Sequence, residues 1–116
     1  MAPTVLIVDD HPSFRASARV LLEAEGFEVV GEAADGASGL AEAGRLRPEV
    51  VLLDVQLPDT DGFEVAGRLT NGGGGPAVIL VSSRDSSDFG PLVSRSGARG
   101  FVAKAELSGE RIQELL

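Results

Sequence analysis

The sequence predicts an α/β fold in which a five-stranded parallel sheet is covered by helices on both faces. Five short runs rich in branched apolar residues recur along the chain, and each is followed by a segment with helical apolar spacing. Strands that are apolar throughout and are separated by helix-sized connections are typical of parallel sheets buried between helices. With 116 residues the chain is long enough for one core and too short for two, so we predict a single domain over 1–116.

The strands and helices can be placed in chain order from these patterns. The strands are predicted at 4–8, 28–33, 49–53, 77–82 and 100–104. The helices are predicted at 12–26, 36–46, 62–69, 91–97 and 108–116. The first helix carries one apolar stripe formed by Phe14, Ala18, Leu21 and Leu22. Right-handed crossovers then allow the strand order 2-1-3-4-5.

Two connections differ from the regular pattern. Pro91 lacks an N–H and disfavours a helical conformation at Gly90, so we expect the fourth helix to begin near Pro91 and 84–90 to form a longer loop. The glycine-rich segment Asn71–Gly75 is predicted to be a flexible loop before the fourth strand. It does not match a phosphate-binding loop, because no Lys-Ser/Thr follows and Pro76 leads into a strand.

Composition narrows the range of functions. The chain has 18 acidic and 10 basic side chains and a net charge of -8, so it would repel a nucleic-acid backbone. Any DNA contact is therefore expected from another domain or chain. The absence of Cys excludes disulfides and thiolate ligands. No apolar run approaches the ~20 residues of a membrane span, and we expect a cytoplasmic protein.

Polar residues converge at one edge of the predicted sheet. The carboxyl ends of parallel strands share an edge, and ligands bind there where the strand order reverses. The residues at the ends of strands one, three, four and five are Asp9 and Asp10, Asp54, Ser82, and Lys104. We therefore predict that three carboxylates, a hydroxyl and an ammonium group lie close together.

Each of these residues also has a purely structural interpretation. Asp10 could be an acidic residue that stabilises a helix N-terminus, and Ser82 could be a solvated strand end. Lys104 could be a charge that protects an edge strand from pairing with another chain. These interpretations do not explain why three carboxylates cluster, since like charges destabilise one another unless a cation intervenes. Hard oxygen ligands favour Mg²⁺. His11 is adjacent to the cluster, and beside Pro12 we interpret it as a helix-start residue rather than a ligand.

Four motifs carry a family resemblance across essentially the whole chain. VDDHPSFR, LLDVQLPDTDG, VSS and GARGFVAKAEL, in this order, resemble the receiver domains of bacterial two-component response regulators. The resemblance implies a three-layer, flavodoxin-like (βα)5 fold. It implies that Asp54 accepts a phosphoryl group from the phosphohistidine of a sensor kinase. It further implies a Mg²⁺ ion bound by Asp10, Asp54 and the backbone carbonyl of Gln56, with Asp9 acting mainly through water.

The same resemblance assigns the remaining residues of the site. Ser82 and Lys104 would contact the phosphoryl oxygens, and Ser82 and Phe101 would form the conformational switch. Gln56 and Arg84 lie two residues beyond Asp54 and Ser82, and we expect them to tune the phosphoryl lifetime by shielding it from water. The protein would then be a switch with self-directed phosphotransfer and autodephosphorylation, rather than an enzyme that acts on other substrates.

Nearby acidic residues are expected to be structural instead. Asp61 and Glu64 have the spacing of a capping box at the third helix, with Asp in place of Ser or Thr. Pro58 shapes a turn, and we interpret Asp59 as part of the same local structure.

Motifs near the two ends of the chain indicate the subfamily, and one position of the site argues against another class of protein. DDHP and GARGFVAKAELSGE most resemble receivers of LuxR-type, NarL-like regulators, which implies a helix-turn-helix output domain that this chain does not contain and a phosphorylation-dependent homodimer. The expectation is a receiver cut from a longer transcription regulator. A stand-alone receiver or a phosphorylation-independent binding module is the alternative. A phosphohydrolase with an aspartate nucleophile would have a second Asp at position 56, which is Gln here.

Overall fold

Within the described residues, five strands form one parallel sheet in the order 2-1-3-4-5, as predicted. The computed structural model describes residues 2–71 and 75–116. The strands are β1 (Thr4–Val8), β2 (Glu28–Ala33), β3 (Val50–Asp54), β4 (Ala77–Ser82) and β5 (Gly100–Ala103). The prediction for the glycine-rich loop falls on 72–74 and so lies outside the described residues.

In the part of the chain that the structure describes, five helices connect and cover the strands. They are α1 (Pro12–Ala24), α2 (Gly36–Leu46), α3 (Gly62–Thr70), α4 (Leu92–Arg95) and α5 (Gly109–Leu115). Short 3-10 turns occupy Ser86–Asp88 and Lys104–Glu106. The longest helix, α1, has 13 residues, and across 2–71 and 75–116 no helix is long and apolar enough to cross a membrane.

Several element ends differ from the prediction: α1 ends at Ala24 rather than at 26, β3 begins at Val50 rather than at 49, α3 ends one residue later, and α5 is one residue shorter at each end. Asp54 is the last residue of β3 rather than the residue after it, because it still pairs in register with Val81. The fifth strand ends one residue early, since its ladder stops at Ala103 and Lys104 begins a 3-10 turn. Pro91 is the N-cap of α4, as predicted, but the helix that follows is a single turn.

The sheet separates two apolar cores. Alternate strand residues point to opposite faces, so Ile7 and Leu52 contribute to the core under α1 and α5, whereas Leu6 and Leu53 contribute to the core under α2 and α3. All four are fully buried, and burial of each such side chain stabilises the fold by roughly 1.5–3 kcal/mol. The predicted stripe of α1 is confirmed, since its four residues belong to or pack against the first core.

Asp59 and Asp61 have structural roles, as predicted, although Asp59 contacts the start of α2 rather than its own turn. Asp59 accepts hydrogen bonds from the N–H groups of Gly36 and Ala37 at 2.8 and 3.0 Å, and these bonds lower the pKa of Asp59. Asp61 caps α3 by accepting from the N–H of Glu64 at 2.8 Å. Only this half of the predicted capping box is seen, because the Glu64 carboxylate accepts from Thr60 Oγ1 instead. Both acidic groups therefore stabilise the helix starts beside the site.

Candidate functional site

Three carboxylates meet at the carboxyl edge of the sheet, as the sequence predicted. Val8 and Leu53 are paired in register, so the residues that follow them, Asp9 and Asp54, are brought side by side. Asp9 is 0% exposed and Asp54 is 3% exposed, whereas Asp10 faces solvent. One carboxylate oxygen of each, together with a ring nitrogen of His11, lies within 4.8 Å of the others.

This crowding changes the acidity of Asp54. Burial raises the pKa of the Asp54 carboxyl, and the neighbouring charges of Asp9 and, more weakly, Asp10 raise it further. The Lys104 charge and a hydrogen bond from the N–H of Gln56, 3.3 Å from Oδ1, oppose that shift without cancelling it. The ionised form of Asp54 is therefore destabilised by its surroundings, and a cation at this place would stabilise it.

Lys104 supplies one positive charge to the cluster. Its Nζ lies 2.7 Å from Asp9 Oδ2 and 3.6 Å from Asp54 Oδ2, and the same ammonium lies 4.4 Å from the ring centroid of Phe14. Within the described part of the chain, Asp9 Oδ2 accepts no hydrogen bond of ordinary angular geometry, so the Lys104 ion pair is its main compensation. Since this one ammonium contacts two of the three carboxylates, the cluster keeps an excess of negative charge.

The donor set suits a hard divalent cation. Carboxylate oxygens of Asp10 and Asp54 face a common space beside a buried Asp9, with no thiolate in the chain. Mg²⁺ is bound in proteins through one or two carboxylates while it retains several waters. The exposed position of Asp10 leaves room for those waters. The acidic pocket therefore fits the cation that the family resemblance implies.

Sequence reasoning missed the contribution of the His11 ring. His11 is the N-cap residue of α1, as its interpretation as a helix-start residue required. Its Nδ1 nevertheless lies 2.9 Å from Asp9 Oδ1 and 3.1 Å from Asp10 Oδ1. The signal in the sequence was the Asp-x-His spacing, because an Asp side chain commonly accepts from the backbone two residues on. Here the N–H of His11 donates to Asp9 Oδ1 at 2.8 Å and turns the ring toward the carboxylates.

The two predicted switch residues end up on neighbouring strands. Ser82 is the last residue of β4 and is 3% exposed, and its Oγ accepts from the N–H of Arg84 at 3.0 Å. Phe101 lies on β5 and is partly buried, with its ring centroid 5.7 Å from that of Phe89. Phe89 in turn lies 5.5 Å from Phe63 of α3, edge to face. This row of three rings, which the sequence did not predict, links β5 to the loop before α4.

The two predicted lifetime residues are both exposed at the rim of the site. Arg84 is directed along its own loop, because Nε lies 3.5 Å from Asp88 Oδ2 and the guanidinium carbon lies 5.8 Å from the Phe89 ring centroid. Gln56 directs its N–H at Asp54 and pairs with Asp61 through an isolated bridge. Their side chains are therefore near the carboxyl edge without being fixed over Asp54.

The fold and the site define a class of signalling domain. The family described as response regulator receiver domain matches residues 5–116. The chain therefore belongs to the receiver family of response regulators, a family of signalling switches, as its four motifs predicted.

The curated relatives that match this chain are regulators of transcription. A transcriptional regulator of Pseudomonas aeruginosa is 41% identical over 102 residues, which make up 88% of this chain and 49% of that protein. The virulence factors positive transcription regulator BvgA of Bordetella pertussis is 45% identical over 102 residues, again 88% of this chain and 49% of the relative. The chain thus spans about half the length of these curated relatives.

Solved structures agree in fold and in subfamily. The signal receiver domain of the response regulator NarL from Mycobacterium tuberculosis has a TM-score of 0.85 at 32% identity, over 98% of this chain and 96% of that one. A LuxR-family response regulator from Aurantimonas has a TM-score of 0.86 at 29% identity, over 97% and 81%. The chemotaxis regulator CheY4 of Vibrio cholerae has a TM-score of 0.86 at 28% identity and covers both chains fully. The flavodoxin-like receiver fold and the resemblance to LuxR-type receivers are confirmed.

Proposed function

We propose that this receiver accepts a phosphoryl group on Asp54 from the phosphohistidine of a sensor histidine kinase, with Mg²⁺, and thereby switches an output that controls transcription. The observation that carries the proposal is the position of Asp54. It is a buried carboxylate at the strand edge where two further carboxylates and the Lys104 ammonium converge. A receiver-like binding module that works without phosphorylation would have no need for this costly cluster.

The chemistry follows from the groups around Asp54. A carboxylate oxygen of Asp54 attacks the phosphorus of the kinase phosphohistidine. An O–P bond forms while the N–P bond breaks, and the imidazole nitrogen leaves with the bonding electron pair. Lys104, already 3.6 Å from Asp54 Oδ2, can pair with a phosphoryl oxygen, and the protein contributes mainly position and charge.

The metal site would be formed by residues of the same edge. Asp10, Asp54 and the backbone carbonyl of Gln56 would hold Mg²⁺, and Asp9 would act mainly through a bound water. When bound, Mg²⁺ neutralises charge that develops on the phosphoryl oxygens. Asp9 keeps the Lys104 ammonium at the edge of the site through their 2.7 Å ion pair, where it can reach the transferred group.

Signal output would begin at Ser82. Its Oγ, which accepts from the N–H of Arg84, can turn its O–H toward a phosphoryl oxygen. That movement would pull on the loop before α4 and vacate space beside β5 for an inward movement of Phe101. Phe101 has no hydroxyl to desolvate, so its inward state gains packing at no such cost.

The wider assembly is inferred from the relatives and from the resemblance to LuxR-type receivers. They are transcription regulators about twice the length of this chain, and EvgA of Escherichia coli, 33% identical over 101 residues, is described as a DNA-binding transcriptional activator. We infer a helix-turn-helix output domain outside this chain, a phosphorylation-dependent homodimer and a cytoplasmic location. A net charge of -8 assigns DNA contact to that other domain.

A mapping experiment tests the proposed acceptor. The protein is incubated with Mg²⁺ and acetyl phosphate, reduced with borohydride and digested for peptide mass spectrometry. Reduction converts an aspartyl phosphate to homoserine, so homoserine at position 54 is expected, and only when Mg²⁺ is present. Homoserine at Asp9 or Asp10 instead, or at no position, would refute the assignment.

A further inference from the structure

The imidazole of His11 lies against the acidic cluster although most of its side chain is exposed. Its side chain is 62% exposed, yet Nδ1 lies near an oxygen of every carboxylate of the site. The distances are 2.9 Å to Asp9 Oδ1, 3.1 Å to Asp10 Oδ1 and 3.9 Å to Asp54 Oδ2. His11 is also the chain's single histidine. A nitrogen donor is therefore added to an otherwise all-oxygen set.

These separations match those between ligands that share one cation. Around an octahedral ion with bonds of ~2.1 Å, neighbouring donor atoms are ~3.0 Å apart and opposite ones ~4.2 Å. The 3.1 Å contact from Nδ1 to Asp10 corresponds to neighbouring donors, and the 3.9 Å contact to Asp54 approaches the opposite arrangement. The 2.9 Å contact to Asp9 Oδ1 is a hydrogen bond in the ion-free protein, in keeping with the indirect role of Asp9. Lys104 does not compete for these atoms on Asp9, because its ammonium contacts Oδ2 and the imidazole contacts Oδ1.

We propose that His11 is a specificity-determining ligand that raises the affinity of this site for borderline divalent cations such as Co²⁺ and Ni²⁺ relative to Mg²⁺, through Nδ1 together with Asp10 and Asp54. The inference deepens the proposed function and rests on it, since it concerns the same cation site. Mg²⁺ gains little from a nitrogen donor and keeps water there instead, whereas imidazole is a preferred ligand of Co²⁺ and Ni²⁺. His11 thus raises the preference for Co²⁺ and Ni²⁺ over Mg²⁺ beyond what the carboxylates alone supply.

The position of His11 permits a clean substitution. The residue is the N-cap of α1, but its side chain makes no capping hydrogen bond to the helix. Its ring is mostly exposed, so replacement does not open a cavity. His11→Phe keeps a planar ring and removes both nitrogens. Ser13→Ala, an exposed change in the first turn of the same helix, is the matched control.

Calorimetric titration with NiCl₂, CoCl₂ and MgCl₂, each alone, tests the inference on the whole chain in a mildly alkaline buffer. For His11→Phe we expect affinity for Ni²⁺ and Co²⁺ to fall at least ~10-fold, while affinity for Mg²⁺ stays within about threefold. Ser13→Ala should match the parent for all three ions. Equal losses for Ni²⁺ and Mg²⁺ would mean that His11 acts through general charge, and unchanged Ni²⁺ affinity would mean that it is not a ligand. Either result overturns the proposal.

A spectroscopic readout identifies the bound atom directly. Because the chain has one histidine, its imidazole C–H proton signals are unambiguous. Co²⁺ bound to Nδ1 should shift these signals far outside their usual range, and Asp54→Asn should abolish the shift. Ring signals that broaden no more than those of other side chains near the site would contradict direct ligation.

The two proposals fail separately in this design. Mg²⁺ binding and Mg²⁺-dependent labelling of the parent protein report on the phosphoacceptor function. The ratio of Ni²⁺ to Mg²⁺ affinity, compared between the parent and His11→Phe, reports on His11. If the parent is labelled in Mg²⁺ but its ratio of Ni²⁺ to Mg²⁺ affinity does not depend on His11, the proposed phosphoacceptor function stands and the proposal that His11 is a ligand is refuted.

Discussion

Nζ of Lys104 lies 2.7 Å from Oδ2 of the fully buried Asp9, closer than its 3.6 Å distance to Asp54. The ammonium is itself only 16% exposed, so the pair is removed from solvent screening. Removing one partner of such a pair leaves a buried charge uncompensated, which is strongly destabilising. Lys104 therefore compensates the buried charge of Asp9 and so stabilises the fold. Asp9 in turn holds the Lys104 ammonium in the site.

Lys104→Met should lower the free energy of unfolding by about 3 kcal/mol, because it leaves the buried Asp9 carboxylate without its ammonium partner. Urea unfolding followed by circular dichroism measures this, since the chain has no Trp to report by fluorescence. Arg111→Met is the matched control, because Arg111 forms an exposed 4.0 Å pair with Glu114 and should cost less than ~1 kcal/mol. Equal losses of unfolding free energy in the two variants would show that the buried Lys104–Asp9 pair contributes no more stability than the exposed Arg111–Glu114 pair.

Asp54→Asn should stabilise the cation-free protein at neutral pH. Burial and then the charge of Asp9 raise the pKa of Asp54 above its ordinary value of 3.8, so the folded state binds this proton more tightly than the unfolded chain. The free energy of unfolding therefore falls as pH rises from 3.8 through the raised pKa, and the substitution removes that loss. Thermal unfolding at a series of pH values should show a Tm gain at neutral pH that disappears below 3.8.

Asp59→Asn should change Tm in the opposite direction in the same experiment. Backbone N–H groups of Gly36 and Ala37 lower the pKa of Asp59, so its charge contributes stability above the ordinary value of 3.8 that is lost as pH falls through the lowered pKa. This variant should be destabilised at neutral pH. Two variants that shift Tm in the same direction would contradict the electrostatic description of the site.

The loop at 84–90 should respond to phosphorylation through Phe89. The Phe89 ring contacts Phe63 and Phe101, whereas the rest of this loop is largely exposed and can open at low cost. Amide exchange across 84–90 should be fast in the free protein and should slow with beryllofluoride and Mg²⁺. Phe89→Ala and Ser82→Ala should each weaken that change, because the first removes the link to β5 and the second removes the hydroxyl that reaches the mimic.

Leu92→Ala is the control for the loop, since Leu92 is 49% exposed just beyond it. This variant should keep the full response to beryllofluoride. Exchange in 84–90 that is already slow, or that ignores the mimic, would show that the signal leaves through another surface.

Shortening Gln56 and Arg84 to Ala should speed dephosphorylation. Both side chains are exposed at the rim of the site, and an attacking water needs an open path to phosphorus. Arg84 must leave Asp88, 3.5 Å away, to cover a phosphoryl group, so Gln56→Ala alone should have the larger single effect. The decay of the phosphorylated species by intact mass after removal of donor measures the rates. Equal decay of the parent and the double variant would show that neither side chain gates the water.

Backbone placement was predictable from the sequence because it follows from local apolar patterns. The runs at β1 and β4 fix where strands lie, and the order of a parallel sheet then brings Asp9, Asp54 and Ser82 to one edge. The directions of the side chains were harder to predict from the sequence. The His11 ring is turned by a backbone hydrogen bond to Asp9, and this depends on the path of the chain as it enters α1.

The sequence placed Lys104 near the carboxylates, but it did not show that Asp9 is its nearest partner or that Phe101 meets Phe89. Lys104 reaches Asp9 because the strand ladder stops at Ala103 and a 3-10 turn redirects the chain. Phe89 meets Phe101 because α4 is reduced to one turn after Pro91, which leaves the loop free to fold back on β5. Both features result from where regular structure ends, and these ends depend on tertiary contacts more than on propensity.

Intact-mass measurement of phosphoryl transfer tests the central claim most directly. The parent, Asp54→Asn and the exposed control Ser13→Ala are each incubated with acetyl phosphate, with Mg²⁺ or with a chelator. We predict one added phosphoryl group on the parent and on Ser13→Ala in Mg²⁺, and none on Asp54→Asn or in chelator. Labelling of Asp54→Asn equal to that of the parent, or labelling as strong in chelator as in Mg²⁺, would contradict the assignment of Asp54 as a metal-dependent phosphoacceptor.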